Sequence, residues 1–183
     1  WSWHDKELTD IRETCAECGV TVEAFSGTSI YSLCDRASSA AFIDWVRQSI
    51  ETAKMLNCRK LILFPNHFTP QGCSDFRDQY TRDAMLAACT ATLTKLAPIL
   101  EQSGITALLE PLNNLGDDAG MSVTTTQTGA DIVRAVNSPN VRLLCDVYHM
   151  QVMHGDLMGN LWRNLDIVPY IHLADAPERH EPG

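Results

Sequence analysis

The 183-residue chain is long enough for one domain with a sizeable core, and its 45% hydrophobic and 20% charged residues are a globular composition rather than a disordered one. A net charge of −9 with a pI near 5.0 argues against nucleic acid or an anionic membrane as partner, because the Lys and Arg residues are scattered and form no basic stripe. No apolar run approaches the roughly 18 residues of a membrane helix, and no signal peptide is visible.

The chain opens on Trp1-Ser2-Trp3-His4 without an initiator Met, so it is expected to begin inside a longer protein. Residues 3–18 follow as a helical pattern containing Cys15-x-x-Cys18. That pair invites a metal or redox reading, but with Ile11 it falls at i, i+4, i+7, the spacing of a core-facing stripe. Seven cysteines, several in apolar segments (Cys58, Cys89, Cys145), suggest free thiols in a reducing compartment and hence the cytosol.

Short apolar runs at 20–26, 60–65, 105–110, 142–147 and 170–174 predict five buried parallel strands. Helical patterns fill the gaps at 38–56, 77–102 and 127–137, with a further one at 156–165. Phe42, Trp45, Val46 and Ile50 share one helical face, and Leu86, Cys89, Leu93, Leu96 and Leu100 share another. Gly104 closes the second of these helices. Such βα repetition fits either a doubly wound sheet or a (β/α) barrel. The first strand is followed by no Gly-rich phosphate loop, which removes the main support for a dinucleotide fold. Five strands cannot close an eight-stranded barrel of the usual ~250 residues. The expectation is an α/β fold, one truncated TIM-barrel domain over 1–183 with about five to six βα units. Its open sheet edges would favour association, so a homo-oligomer is an expected partner state.

Three polar residues stand at the ends of apolar runs: Glu110 after Ala107-Leu108-Leu109, Asp146 after Leu143-Leu144-Cys145, and His172 after Tyr170-Ile171. In a parallel barrel the site forms at the C-terminal ends of the strands, and a buried carboxylate needs a cation, a donor network or a proton. Two carboxylates and an imidazole suit Mn²⁺ or Mg²⁺ first, with Zn²⁺ or Co²⁺ as further candidates. Such a cation would chelate adjacent oxygens of a small-molecule substrate, a hydroxy-ketone, and stabilise an enediolate while a carboxylate shuttles the proton. Each residue also has a plainer reading, since a lone acid at a strand end is more often a cap or acceptor. His149, three residues after Asp146, is a substrate-side or supporting group, and Asn113 either orients a hydroxyl or caps its loop. His67 either touches substrate or is a solvated loop histidine. Arg179 offers a guanidinium clamp for an anion or hydroxyl. His4, His154 and His180 carry less weight, because they lie on a helix surface or near the chain ends.

At these residues the sequence resembles a known family. Glu110-Pro111-Leu112-Asn113, Asp146-Val147-Tyr148-His149-Met150-Gln151 with Gly155-Asp156-Leu157, and Ile171-His172-Leu173-Ala174-Asp175-Ala176-Pro177 with Arg179-His180-Glu181-Pro182-Gly183 look like hydroxypyruvate isomerases. These belong to the xylose isomerase-like TIM-barrel superfamily, together with the ketose 3-epimerases. The opening Trp1-Ser2-Trp3 through Leu8 resembles the segment after that family's second strand.

The resemblance implies a metal held by Glu110, Asp146, His172 and one further Glu beyond Gly183, with His149 and Arg179 on the substrate. Glu110 and that further Glu would move the proton, and the expected reaction is hydroxypyruvate to tartronate semialdehyde. Hydroxypyruvate isomerases usually carry Gln at the position of His172, whereas the epimerases carry His. The loop Asn66-His67-Phe68-Thr69-Pro70 also departs from the family's usual one. A ketose 3-epimerase is therefore the alternative. An abasic-site endonuclease on the same barrel ranks lower, because the chain is acidic and has only six histidines. With one ligand lacking, the chain alone is expected to bind metal weakly and to be inactive.

Overall fold

Buried parallel strands must be apolar on both faces, and the computed structural model, which describes residues 3–28 and 30–183, places part of each of the five expected runs in a strand. A parallel sheet contains β1 (Phe25–Ser26), β2 (Lys60–Leu63), β5 (Thr106–Leu109), β6 (Val141–Asp146) and β7 (Tyr170–His172). Between β2 and β5 a small antiparallel hairpin, β3 (Phe68–Thr69) and β4 (Gly72–Cys73), forms in the loop around His67. Gly72 turns it with φ 108°, a left-handed conformation open to glycine.

The spatial order β1-β2-β5-β6-β7 is the sequence order. A doubly wound sheet reverses direction at a switch point. This one never does, so the chain forms part of a barrel wall: a half-barrel of five parallel strands.

Helices α1 (Leu8–Cys18), α2 (Ser39–Met55), α3 (Arg82–Ser103), α4 (Thr126–Val136), α5 (Val147–Met153) and α6 (Leu157–Asn164) complete the chain. Four starts are fixed by side chains that accept a backbone N–H: Thr81 from Ala84, Thr125 from Thr128, Asp156 from Gly159, and Asp146 from Tyr148 and His149. The Thr81 cap moves the start of α3 from the expected residue 77 to Arg82. The short α5 is not apparent in the sequence, because its residues continue the motif after Asp146 without apolar periodicity.

Strand residues alternate between two layers. Leu61, Leu63, Ala107, Leu109 and Leu143 face the helices and join the main core with Phe42, Val46, Leu93, Leu96 and Leu100. Ile62, Leu108 and Leu144 face the other way and form a separate inner layer, with Phe64 and Tyr170 against them. That inner layer is the barrel interior.

Two expectations need correction. Helix α1 forms, but it buries none of its residues. Ile11 and Cys15 are only partly covered and Cys18 is exposed, so the Cys15/Cys18 stripe does not face the core. The N-terminal segment docks instead through Trp3, whose ring lies 5.4 Å from Trp45 and whose Nε1–H donates to Ser49 Oγ at 2.8 Å. Trp1 and Ser2 of that motif lie outside the described residues. Secondly, α3 has 22 residues with a mean hydropathy of 1.2 over its most apolar stretch, enough by length and composition to cross a membrane. Counting uninterrupted apolar runs misses this, because Thr90, Thr92, Thr94 and Lys95 break the run. Met85, Cys89, Leu93, Leu96 and Leu100 of α3 are buried in the protein core.

Candidate metal centre

The alternation that builds the two layers also aims the candidate ligands. Glu110 is two residues beyond Leu108, Asp146 two beyond Leu144, and His172 two beyond Tyr170, so all three continue the inner face at the C-terminal end of the wall. Asp146 and His172 are direct register partners. The Glu110 N–H extends the ladder by donating to Leu63 O at 3.1 Å.

The two carboxylates are almost wholly buried, Glu110 at 3% and Asp146 at 2% exposure. Removing a carboxylate from water costs on the order of several kcal/mol, so the surroundings must compensate. Asp146 divides its oxygens. Its Oδ1 accepts from the N–H groups of Tyr148 (2.9 Å) and His149 (3.3 Å), capping α5. Its Oδ2 faces Arg179, whose guanidinium donates at 3.3 Å, with His149 Nε2 at 3.6 Å and His172 Nδ1 at 3.9 Å.

Glu110 Oε1 lies 3.1 Å from His172 Nδ1. Burial raises the Glu110 carboxyl above the ordinary carboxylate range, opposed by the bond to His172. That same bond raises His172 against its own burial. His149 is pushed down to about 4, chiefly by burial, and is neutral near pH 7.

Glu110, Asp146 and His149 offer donor atoms that all lie within 4.8 Å of one another. His172 stands against both carboxylates from the neighbouring strand. Carboxylate oxygens and imidazole nitrogens around a shielded point fit a divalent cation of the Mg²⁺, Mn²⁺ or Zn²⁺ kind.

The remaining expected residues fall into two groups. Arg179 and Asn113 join the site. Arg179 adopts φ 61°, a left-handed conformation unusual for a side-chain-bearing residue. Its N–H donates to Asp175 O at 3.0 Å, and its guanidinium lies 4.7 Å over the Tyr148 ring. Buried Asn113 makes its contacts with Asp118, His149 and Leu115. His67 stands apart. Its Nδ1 is 2.8 Å from Ser32 Oγ, its N–H donates to the same oxygen, and Ser32 Oγ lies 3.1 Å from Ser74 Oγ.

Sequence reading missed Asp118 and Tyr148, both in contact with site residues, and Asn66. Fully buried Asn66 donates to Ser74 O and Gly120 O and accepts from Ser122, tying the loop after β2 to the loop after β5. A cleft of about 310 Å³ at the start of α3, lined by Tyr80, Arg82 and Met85 among others, does not include Glu110, Asp146 or His172.

An open-ended parallel wall with acids and a histidine at its C-terminal rim defines a class, and comparison with known proteins agrees with it. The chain belongs to the xylose isomerase-like TIM barrel family, whose profile matches residues 1–183. A Homo sapiens relative with a provisional hydroxypyruvate isomerase name is 34% identical over 144 residues, covering 79% of this chain and 50% of that protein. Hydroxypyruvate isomerase of Escherichia coli K12 is 29% identical over 142 residues, covering 78% of this chain and 52% of its own. An L-ribulose 3-epimerase of Mesorhizobium japonicum is 23% identical over 177 residues, or 94% of this chain and 56% of that one. Among solved structures, one titled AP endonuclease, family 2 from Brucella melitensis superposes with a TM-score of 0.81 at 24% identity, covering 99% of this chain and 69% of that one. That likeness establishes the fold alone. The chain spans about half the length of the hydroxypyruvate isomerase relatives above.

Proposed function

We propose that Glu110, Asp146 and His172 hold a divalent metal and that the protein isomerises a small hydroxy-carbonyl compound, hydroxypyruvate first, through a cis-enediolate. The observation that carries this reading is the pair of nearly inaccessible carboxylates at the inner rim of the half-barrel, with a histidine against both. The metal, when bound, would polarise the carbonyl and stabilise the enediolate.

The chain's own residues supply the rest. Glu110 in its carboxylate form, made more basic by burial, takes the proton from C3 of hydroxypyruvate, and a proton returns to C2. The hydroxyl proton passes from O3 to O2, so the product tartronate semialdehyde has the atoms of the substrate. Arg179, braced by the Tyr148 ring, binds the substrate carboxylate.

A ketose 3-epimerase is the second reading. It is supported by His172, which stands where the epimerases resembling this sequence carry histidine, and by the likeness to the Mesorhizobium epimerase. An abasic-site endonuclease gains no support from an acidic chain.

The test is proton exchange in D₂O by the Mn²⁺-loaded complete protein, offered hydroxypyruvate and four- to six-carbon ketoses. Metal-dependent deuterium incorporation at a substrate carbon is expected, and Glu110→Gln should lower it by about 100-fold or more. Exchange confined to ketoses selects the epimerase. No metal-dependent exchange with any of them sinks both readings.

A further inference from the structure

Two histidines stand beside the carboxylates, and the hydrogen bonds behind them give them different chemistry. His149 Nδ1 is approached by the Asn113 backbone N–H at 3.2 Å and by the Asn113 side-chain Nδ2 at 2.8 Å. A peptide N–H cannot accept a hydrogen bond, and neither can an amide nitrogen.

The Asn113 amide cannot turn round to offer its oxygen instead. Its Oδ1 accepts the Leu115 N–H at 2.7 Å, and its Nδ2 donates to the Asp118 carboxylate at 2.8 Å. Reversal would set an N–H against an N–H and an oxygen against a carboxylate. Asp118 stands 3.8 Å from His149 Nδ1, too far to take a proton from it directly.

We infer that Asp118 and Asn113 are positioning residues that lock His149 as the Nε2–H tautomer, making it a hydrogen-bond donor into the site.

The consequence follows from valence. A neutral imidazole with an accepting Nδ1 carries its proton on Nε2, so that nitrogen has no lone pair for a cation. His149 Nε2 lies 3.6 Å from Asp146 Oδ2, on the site side of the ring. Proximity alone groups His149 with Glu110 and Asp146, but its site-facing atom presents a hydrogen. His172 differs. Its Nδ1 faces the oxygens of Glu110 and Asp146, acceptors that hold a proton on this nitrogen in the metal-free protein and leave the position to a cation once that proton is lost. A neutral N–H turned into the site would stabilise negative charge developing on a substrate oxygen without giving up its proton.

This inference rests on the proposed metal centre, but its first test does not need metal or turnover. Long-range ¹H–¹⁵N correlation spectra of the ¹⁵N-histidine-labelled, metal-free protein near pH 7 should show His149 as a single Nε2–H tautomer. A proton on His149 Nδ1 overturns the inference, whatever the enzyme does. Asn113→Asp puts an acceptor where the donor stood and should move the proton to Nδ1. Asp118→Ala, which removes the acceptor that anchors the Asn113 amide, should give a mixture of tautomers. An unchanged Nε2–H signature in both variants overturns the role given to the two side chains.

Zn²⁺ added to the labelled wild type should then shift His172 Nδ1 and leave the His149 proton in place. Loss of the His149 Nε2–H signature on adding Zn²⁺ overturns the inference. A Zn²⁺ titration that moves neither ring overturns the metal centre of the preceding section, while the tautomer result remains as measured.

Discussion

Single residues at the rim carry the pH behaviour. His172 Nδ1 bonds to Glu110 Oε1, which raises the affinity of the imidazole for its proton. A metal must displace that proton, because ligation needs the deprotonated nitrogen. The sign follows: a raised value means that the proton competes at higher pH, so metal affinity falls as pH drops through the histidine range. Calorimetric titration of Mn²⁺ should show tighter binding near pH 8 than near pH 5.5, with proton release at the lower pH. Affinity unchanged between the two would remove His172 from the ligand set.

The placement of Glu110, Asp146 and His172 at the rim follows from the sequence because each ends an apolar run, where a buried polar residue needs a partner. The position of Asp118 does not. The residue lies in a loop between Gly116 and Gly120, and only folding brings it to Asn113. Tyr148 sits beside Asp146 in sequence, but its ring matters through Arg179, 31 positions later, in a loop whose backbone no periodicity predicts.

At the scale of elements, the strands follow from apolar run and spacing, and the helices from their stripes. The boundaries follow from caps that a pattern of apolar residues does not register, as at Thr81. One contact sets how closely α4 meets the sheet. A Cβ on Gly129 would come within 2.6 Å of Leu143 Cδ1 and 2.9 Å of Pro111 Cγ. Pro111 follows Glu110 directly, so the helix presses on the residue next to the candidate ligand. Gly129→Ala gains about 1 kcal/mol of helix propensity, but the overlap costs about 1–3 kcal/mol in a packed interface. The expected net effect is a melting temperature lower by a few degrees, about 2–4 °C per kcal/mol for a chain of this size. An increase would show that α4 can move outward freely.

For the whole molecule, the strand order distinguishes a barrel wall from a doubly wound sheet, a choice that βα repetition alone leaves open because both folds repeat the same unit. The order also leaves β1 and β7 as edges. On and after β7, Ile171 is 41% and Leu173 67% exposed, and Met158 and Trp162 of α6 are exposed as well. An apolar edge with unpaired backbone groups recruits other chains. Sedimentation velocity of the 183-residue chain should show concentration-dependent association, and Ile171→Lys with Leu173→Lys should reduce it. Equal association in the double variant would place the contact elsewhere.

The alternation of the strands has a consequence for how this protein tolerates genetic change. The inner rim takes every second residue, so the ligands depend on reading frame along each strand as well as on identity. Deleting one residue early in β6, at Arg142 for instance, would shift the pleat by one. If the outer layer kept its register, Asp146 would turn from the barrel axis toward the helices and a neighbour in sequence would take its place at the rim. A family of such chains should therefore accept substitutions within β5, β6 and β7 far more readily than changes in strand length, and should confine its insertions to the loops.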